Sequence, residues 1–263
     1  MHLAIDVREA CGAERTGKGQ WTYGFVSELL SRDVTLTLVS DRDVPTEWKS
    51  HANVQVKIFS ENGLRWHRAS ANYFLQHEEM DAYVSPVSYI VPWIIGKKKK
   101  VLPVVHDLIA FMNEPHDRKA TFIERLTLGR TVRNAAHVFT VSETTKRDLT
   151  ARYPHLQAEN VTPLFAGPVS SDMSDNAAHG HTIVSIGTLC PRKNQLRLID
   201  AYTQLPESIR SRTKLILVGK RGWNDDAIVR RAQSTPGVEW KNYLPDDEVT
   251  SLLQFATVLA FPS

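Results

Sequence analysis

Two adjacent cations, Arg192 and Lys193, stand in the stretch IGTLCPRKNQLRLIDAY, between an apolar run and a segment of helical periodicity. The apolar run predicts a strand that ends near Gly187, and the turn after it brings both cations to the start of the next helix. Cations at a helix N-terminus oppose the helix dipole, so a bound anion such as a phosphate would explain them. The spacing is equally compatible with two solvated surface side chains.

A glycine turn, ERTGKGQW, follows the first predicted strand and opens the first predicted helix. Gly12, Gly17 and Lys18 fit the spacing of a Walker A loop, which would bind the phosphates of a nucleotide. Gly19, however, stands where that motif needs a Ser or Thr to bind magnesium. The segment VVHD, with Asp107, is only a weak match to the second metal-binding motif that such proteins have. A P-loop NTPase is therefore the weakest of the functions considered.

The same turn allows two other interpretations. Gly17 and Gly19 fit the beginning of a dinucleotide-binding fingerprint, but Thr22 replaces its third glycine and Asp41 is the sole candidate for the ribose. A tight turn that needs positive φ would also explain the glycines without any ligand.

His106 and Asp107 directly follow the apolar run VLPVV, which predicts that they lie at the carboxyl end of a strand. Ligands of parallel sheets bind at that end, where a histidine can donate a hydrogen bond or shuttle a proton near neutral pH. A structural histidine is the alternative. The spacing of His, Cys and Asp residues predicts no metal site.

The composition is that of a globular α/β protein. The chain has 263 residues, 42% of them hydrophobic and 23% charged, which argues against a disordered or fibrous chain. A net charge of +3 is too small to imply a nucleic-acid partner. Cys11 and Cys190 form no disulfide or zinc pattern, so we expect a cytoplasmic protein, and the apolar patch 85–96 is too short to span a bilayer.

Short apolar runs alternate with helical segments along most of the chain, which predicts parallel sheets with crossover helices. The alternation stops in the small, polar stretch AGPVSSDMSDNAAHGH and then starts again. We therefore predict a first domain at 1–165, a linker at 166–181 and a partial second domain at 182–263.

Several segments in register resemble family 4 glycosyltransferases of the GT-B fold, especially bacterial mannosyltransferases that build surface polysaccharides. The segments, in chain order, are IDVREACGAERTGKGQW, HDL at 106–108, AAHVFTVSETTKRDL, GTLCPRKN at 187–194, LVGKRGW at 217–223 and VLAFPS. The resemblance implies two Rossmann-like domains with parallel sheets, the second incomplete here, with the nucleotide sugar held mainly by the second domain and the acceptor by the first.

The resemblance also implies roles for particular residues. Lys193, assisted by Arg192, would neutralise the donor diphosphate, the glycine turn would approach the donor phosphates, and His106 would contact the transferred sugar. The donor-binding residues that the resemblance implies are Gly17, Lys18, Gly19, Gly187, Arg192 and Lys193, and the catalytic residues are His106 and Asp107.

The function implied by the resemblance is retaining transfer of a hexose, mannose from GDP-mannose, to a lipid-linked glycan or polysaccharide, without a metal or other cofactor. In the family, an EGFG-type loop and a pair of glutamates follow the FPS motif, whereas the present sequence ends at Ser263. We therefore expect an incomplete donor site within these residues. A non-catalytic nucleotide-binding remnant is the alternative.

A basic run, Lys97 to Lys100, follows the apolar patch YIVPWII, which contains Trp93. Apolar side chains beside a lysine cluster can hold a protein on an anionic membrane, which would be the inner face of the cell membrane. A lysine-rich solvated turn before the strand KVLPVV is the favoured alternative.

Overall fold

The computed structural model describes residues 1–112, 118–167 and 181–263. These residues fall into two units, the first comprising 1–112 and 118–167 and the second 181–263. Most of the predicted linker, residues 168–180, lies outside the described residues.

The first unit is built on a seven-stranded parallel sheet with the order β3-β2-β1-β4-β5-β6-β7. Its strands are β1 (His2–Asp6), β2 (Thr35–Ser40), β3 (Val54–Ile58), β4 (Ala82–Ser85), β5 (Lys100–Val105), β6 (Val138–Thr140) and β7 (Val161–Pro163). Its helices are α1 (Gly17–Leu30), α2 (Thr46–Lys49), α3 (Leu64–Gln76), α4 (Ile90–Ile95), α5 (Arg118–Asn134) and α6 (Glu143–Arg152). The chain moves outward from β1 in one direction and then returns to its other side at β4, so the strand order reverses between β1 and β4.

The second unit has a four-stranded parallel sheet with the order β10-β9-β8-β11. Its strands are β8 (Thr182–Ile186), β9 (Lys214–Val218), β10 (Val238–Lys241) and β11 (Val258–Leu259). Its helices are α7 (Gln195–Thr203), α8 (Glu207–Arg210), α9 (Asp226–Ser234) and α10 (Asp246–Phe255). The predicted α/β class with parallel sheets is confirmed, and in this sheet the strand order reverses between β8 and β11.

Apolar side chains fill both faces of the central strands, as expected for parallel sheets covered by helices. In the first unit, Ile5, Leu38 and Val104 are fully or almost fully buried, and the Trp48 ring is buried with them. In the second unit, Leu215 and Leu217 of β9 pack with apolar side chains of α7 and α9. These cores hold the carboxyl ends of the strands in place.

The apolar patch that we considered for membrane contact forms α4 and packs into the core. Val91, Pro92 and Ile95 are buried. Lys99, in the following basic run, donates hydrogen bonds to the carbonyl oxygens of Phe74 (3.2 Å) and His77 (2.8 Å) at the end of α3. Ile90, Trp93 and Ile94 are only partly exposed, so little of the apolar half of this predicted contact is available at the surface, and one of its lysines caps a helix.

Candidate functional site

The cations Arg192 and Lys193 lie at the reversal point of the second sheet. Ligands of open α/β sheets bind outside the carboxyl ends of the strands at this point. Here the loops that follow β8 and β11 come together: the Asn194 side-chain amide donates to the Pro262 carbonyl oxygen (3.1 Å). The Lys193 ammonium lies 5.1 Å from the centroid of the Phe261 ring. The structure therefore places both cations at the expected ligand edge.

Glycines allow the loops after β8 and β9 to approach each other closely. Gly187 and Gly219 have φ angles of +147° and +148°, which side chains rarely adopt. A Cβ atom at position 219 would lie 2.1 Å from the Gly187 carbonyl oxygen. Gly187, predicted as a donor contact, thus also has a structural reason to be glycine.

A buried glutamine fixes the loop that carries the cations. Gln195, the first residue of α7, accepts a hydrogen bond from the Cys190 backbone N–H (3.4 Å) and donates one to the Thr188 carbonyl oxygen (3.0 Å). Between these anchors, Pro191–Lys193 form a 3₁₀ turn, and Asn194 follows with φ of 58°. The cations therefore sit on a held turn at the start of α7, as the sequence predicted.

The positive charge of this turn is not balanced within the described residues. Neither Arg192 nor Lys193 lies within salt-bridge distance of a described carboxylate, and the Arg192 Nε is buried without a hydrogen-bond partner there. Burial, and then the neighbouring Arg192 charge, lowers the pKa of Lys193 below its ordinary value. A bound anion would offset the cost of both charges.

His106 lies at the carboxyl end of β5, as predicted, and its ring is held on two sides. Its Nε2 donates to the Pro86 carbonyl oxygen (2.8 Å), and the Trp21 ring packs edge-on at 5.3 Å. Burial lowers the pKa of His106 to about 4, with a further contribution from the Lys18 charge. The ring is therefore neutral at pH 7, and its remaining nitrogen, Nδ1, can only accept a hydrogen bond.

The glycine turn begins α1 and meets the strand end that carries His106. Thr16 caps the helix by accepting a hydrogen bond from the Gly19 backbone N–H (3.2 Å), and Gly17 is the first helical residue. A Cβ atom at position 19 would lie 2.3 Å from the Glu9 carbonyl oxygen, so close packing alone requires Gly19. The next side chain, Lys18, brings its Nζ to 3.9 Å from Oδ2 of Asp107.

The first unit thus brings together all five residues that the sequence proposed for it: Gly17, Lys18, Gly19, His106 and Asp107. Gly187, Arg192 and Lys193 are brought together in the second unit. Asp41, the ribose candidate of the dinucleotide interpretation, is instead paired with Arg42, whose guanidinium donates to both carboxylate oxygens (2.7 and 3.1 Å).

Sequence reasoning missed Glu124, on the inner side of α5. Its Oε1 is buried and has no hydrogen-bond partner among the described residues. Burial raises the pKa of Glu124 to about 6, while the Lys18 charge lowers it and the Asp107 charge raises it. A signal was present in the sequence, because Glu124 stands in helical register with the buried Leu128 and Thr131.

A second polar group lies at the carboxyl end of β1. Arg8 donates to both oxygens of the buried Asp6 (3.0 and 2.8 Å), and its guanidinium stacks on the Trp66 ring at 3.5 Å. This pair fixes the start of the loop that leads to the glycine turn. No local pattern predicts this contact, since Trp66 comes from α3.

Within the described ranges, no group of three or more His, Cys, Asp or Glu side chains is arranged to hold a metal ion. None of the helices seen in these ranges is both long enough and apolar enough to cross a bilayer.

Comparison with known proteins adds sequence and fold relationships. Residues 174–263 match the family model "Glycosyl transferases group 1". Over 81 residues the chain is 40% identical to the O-antigen chain mannosyltransferase B of Escherichia coli. That alignment covers 30% of this chain and 21% of the relative, so the chain matches about a fifth of the relative's length.

Several solved structures share the fold of this chain. WaaG, a glycosyltransferase involved in lipopolysaccharide biosynthesis, aligns with a TM-score of 0.69 at 14% identity, covering 99% of this chain and 75% of WaaG. TarM aligns with a TM-score of 0.69 at 9% identity, covering 98% and 79%. An alpha-glucosyltransferase in complex with UDP aligns with a TM-score of 0.59 at 14% identity, covering 98% and 72%.

Proposed function

We propose that this chain, a GT-B glycosyltransferase by its fold and by its family match over residues 174–263, transfers a hexose from a nucleotide sugar to a glycan acceptor in surface polysaccharide synthesis. The observation that carries the proposal is the unbalanced pair Arg192 and Lys193 at the reversal point of the second sheet. This unit is also the one that matches the family model.

The pair suits the chemistry of a nucleoside diphosphate leaving group. When the bond between the sugar and the diphosphate breaks, negative charge grows on the phosphate oxygens. Cations that are already positioned there stabilise the transition state more than the ground state, which lowers the barrier. Because Gln195 and Asn194 hold the turn, little reorganisation of Lys193 is needed during the reaction.

For the donor we propose GDP-mannose, transferred with retention of configuration and without a metal ion. The support is the mannosyltransferase name of the Escherichia coli relative, at 40% identity over 81 residues. A structural neighbour binds UDP, so the base and the sugar must be tested together.

In the first unit, we assign His106 to a hydroxyl group of the transferred sugar. A neutral ring whose Nε2 is bound to Pro86 has an acceptor nitrogen left, and a sugar hydroxyl is a suitable donor. We assign Glu124 to the acceptor, because a buried carboxyl oxygen that has no partner in the described part of the chain can receive a hydroxyl hydrogen bond. The Asp107 charge raises the pKa of Glu124, and the Lys18 charge lowers it.

The acceptor in this proposal is a lipid-linked glycan, which places the protein in the cytoplasm at the inner face of the membrane. The involvement of similar proteins in lipopolysaccharide and O-antigen synthesis supports this choice.

The test is a panel of GDP- and UDP-sugars, with release of the nucleoside diphosphate followed in the presence of a lipid-linked glycan. GDP-mannose should be consumed fastest, and NMR of the product should show the anomeric configuration of the donor. The matched variants are Lys193→Ala and Lys214→Ala, the latter at the opposite, amino end of β9 and paired with Glu239. If the protein binds no nucleoside diphosphate, the proposed donor site is refuted. If it binds one but transfers no sugar, a non-catalytic nucleotide-binding protein is favoured.

A further inference from the structure

Tyr89 is a buried polar side chain of the first unit to which no role has been assigned above. It directly precedes α4, is 6% exposed and belongs to the same apolar cluster as Val105 and Leu128. Its backbone carbonyl accepts a hydrogen bond from the Thr131 hydroxyl of α5 (3.1 Å). The Tyr89 hydroxyl itself makes no hydrogen bond to any residue that the structure describes. A phenol this well buried lacks the hydrogen bond that such groups normally make.

Tyr89 shares its surroundings with Glu124, which lies one turn of α5 before Leu128. Burial, and then the charges of Glu124 and Asp107, raise the pKa of Tyr89 well above its ordinary value, so the phenol keeps its proton and donates. Glu124 Oε1 is buried and has no hydrogen-bond partner within the described ranges. A donor and an acceptor therefore lie in one region, and neither is bonded to the other.

The charges around these two groups leave a negative excess. We call Tyr89, Glu124, Lys18 and Asp107 the polar cluster of the first unit. The Lys18 Nζ lies 3.9 Å from Oδ2 of Asp107, so these two charges largely offset each other. The pKa of Glu124 is raised to about 6 by burial, so at pH 7.5 its carboxylate adds one negative charge that the cluster does not balance.

An alcohol is the chemical group that satisfies both unbonded side chains. Its O–H donates to the Glu124 carboxylate, and its oxygen accepts from the Tyr89 hydroxyl. A carboxylate or phosphate could accept from Tyr89 but has no proton for Glu124 and is repelled by its charge. An ammonium group could donate to Glu124 but cannot accept from Tyr89. A site that binds a hydroxyl in this way also rejects the analogue that lacks it, because both side chains then stay unpaired.

We propose that Tyr89 and Glu124 bind one hydroxyl group of an uncharged sugar in the acceptor, and that the polar cluster excludes acidic sugars. The loop that carries Tyr89 also holds the His106 ring, through the Pro86 carbonyl oxygen (2.8 Å), so acceptor and transferred sugar meet at one loop. The inference rests on the proposed function, which supplies the glycan acceptor, and adds to it a contact residue and the charge class of that acceptor.

The experiment is a saturation-transfer NMR titration of the full chain with methyl α-mannoside at pH 7.5, without a donor. Tyr89→Phe and Glu124→Gln should each weaken binding about two- to tenfold, because each loses one hydrogen bond. Since both side chains act on one hydroxyl, the effects should be less than multiplicative in the double variant. Methyl glucuronide should bind at least about tenfold more weakly than methyl glucoside, and Glu124→Gln should narrow that gap.

The monodeoxy derivatives of methyl α-mannoside identify the hydroxyl. One of them should bind the unchanged protein about as weakly as the parent sugar binds Tyr89→Phe. That derivative should lose little further affinity in the variant, because the hydrogen bond is already absent. The other derivatives should lose affinity in Tyr89→Phe by the same factor as the parent sugar.

Matched controls lie at the opposite, amino edge of the same sheet. Tyr73→Phe, in the last turn of α3, and Glu78→Gln, between α3 and β4, remove the same chemical groups. Both should bind the probe like the unchanged protein, and circular dichroism should show that all variants are folded. The inference is overturned by normal binding in Tyr89→Phe or Glu124→Gln, by equal losses in the controls, by equal binding of the two glucose derivatives, or by no binding of methyl α-mannoside.

Transfer assays separate this inference from the proposed function. If GDP-mannose is not consumed but sugar binding depends on Tyr89 and Glu124 as expected, the proposed reaction is refuted and the hydroxyl site stands. If transfer occurs and Tyr89→Phe leaves the KM for the acceptor unchanged, the hydroxyl site is refuted and the reaction stands.

Discussion

Replacing Lys193 with alanine removes one of two positive charges from the turn between β8 and α7. The side chain is half-buried, so its interaction with a bound diphosphate is screened less by salt than that of a surface lysine. Loss of a charge-assisted hydrogen bond removes about 1.5–3 kcal/mol, which corresponds to a rise of about 10- to 150-fold in the dissociation constant. Arg192→Ala should have a smaller effect, because we propose that the lysine makes the main contact with the diphosphate.

The structure also predicts how this affinity depends on pH. Burial and the Arg192 charge lower the pKa of Lys193 in the free protein. A bound diphosphate favours the charged lysine and raises that pKa again. Affinity should therefore be greatest below the pKa of the free protein and fall as the pH rises through it. The alanine variant should lack this decrease.

Calorimetry with GDP and UDP measures both effects. Lys214→Ala is the matched control, since it removes an exposed lysine of the same unit that is paired with Glu239 at 2.6 Å. In the free protein, Lys193→Ala should unfold at the same denaturant concentration as the unchanged chain or a higher one, because it relieves a partly buried charge. Equal affinity of Lys193→Ala and the unchanged protein would refute the assignment, and an equal loss in Lys214→Ala would show a general charge effect.

Three further predictions concern single side chains. His106→Ala should lower kcat with little change in donor affinity. Because the pKa of His106 is about 4 and that of Glu124 is about 6, a step in the rate near pH 6 should belong to Glu124: it should persist in His106→Ala and be absent from Glu124→Gln. Steady-state kinetics against pH would contradict this with a step that disappears in His106→Ala, or with an unchanged kcat in that variant. In urea unfolding, Glu124→Gln should stabilise the fold at pH 7.5 but not at pH 4.5. The pKa of Glu124 is raised from 4.5 to about 6, so ionisation of Glu124 costs the folded state about 2 kcal/mol once the pH exceeds 6. The same difference in stability between the variant and the unchanged protein at both pH values would argue against this. Gly219→Ala should destabilise the chain by about 2 kcal/mol or more in the same assay, because its Cβ would lie 2.1 Å from the Gly187 carbonyl oxygen.

The strands and the residues at their carboxyl ends could be predicted from the sequence, because both follow from local pattern. Runs such as VLPVV and TIVSIG mark buried parallel strands, and the residue after each strand must lie at the ligand edge. For this reason His106 and Lys193 are where the sequence placed them. The glycine turn is harder to interpret from the sequence. Gly19 is required because the backbone of Glu9 packs closely against it, and no motif spacing predicts that contact.

Contacts between distant segments could not be predicted in this way. Lys99 belongs to the lysine run for which the sequence favours a solvated turn, yet it caps α3 through the carbonyl oxygens of Phe74 and His77. Arg8 and Asp6 are neighbours in sequence, but the Trp66 ring on which Arg8 stacks comes from α3. Such contacts depend on how helices dock against the sheet, and a single sequence does not specify this.

The two faces of α5 present different side chains, and only the inner face belongs to the candidate site. Glu124 and Phe122 are two positions apart, so their side chains point about 200° away from each other around the helix axis. The inner face therefore presents a carboxyl group to the charges of Lys18 and Asp107, while the outer face presents cations and apolar side chains to the surroundings. Since no side chain belongs to both faces, a substitution such as Phe122→Ser can affect the site only by shifting the helix as a whole. The buried Leu128 and Val132 oppose such a shift, so the pKa of Glu124 should change little when a side chain of the outer face is replaced.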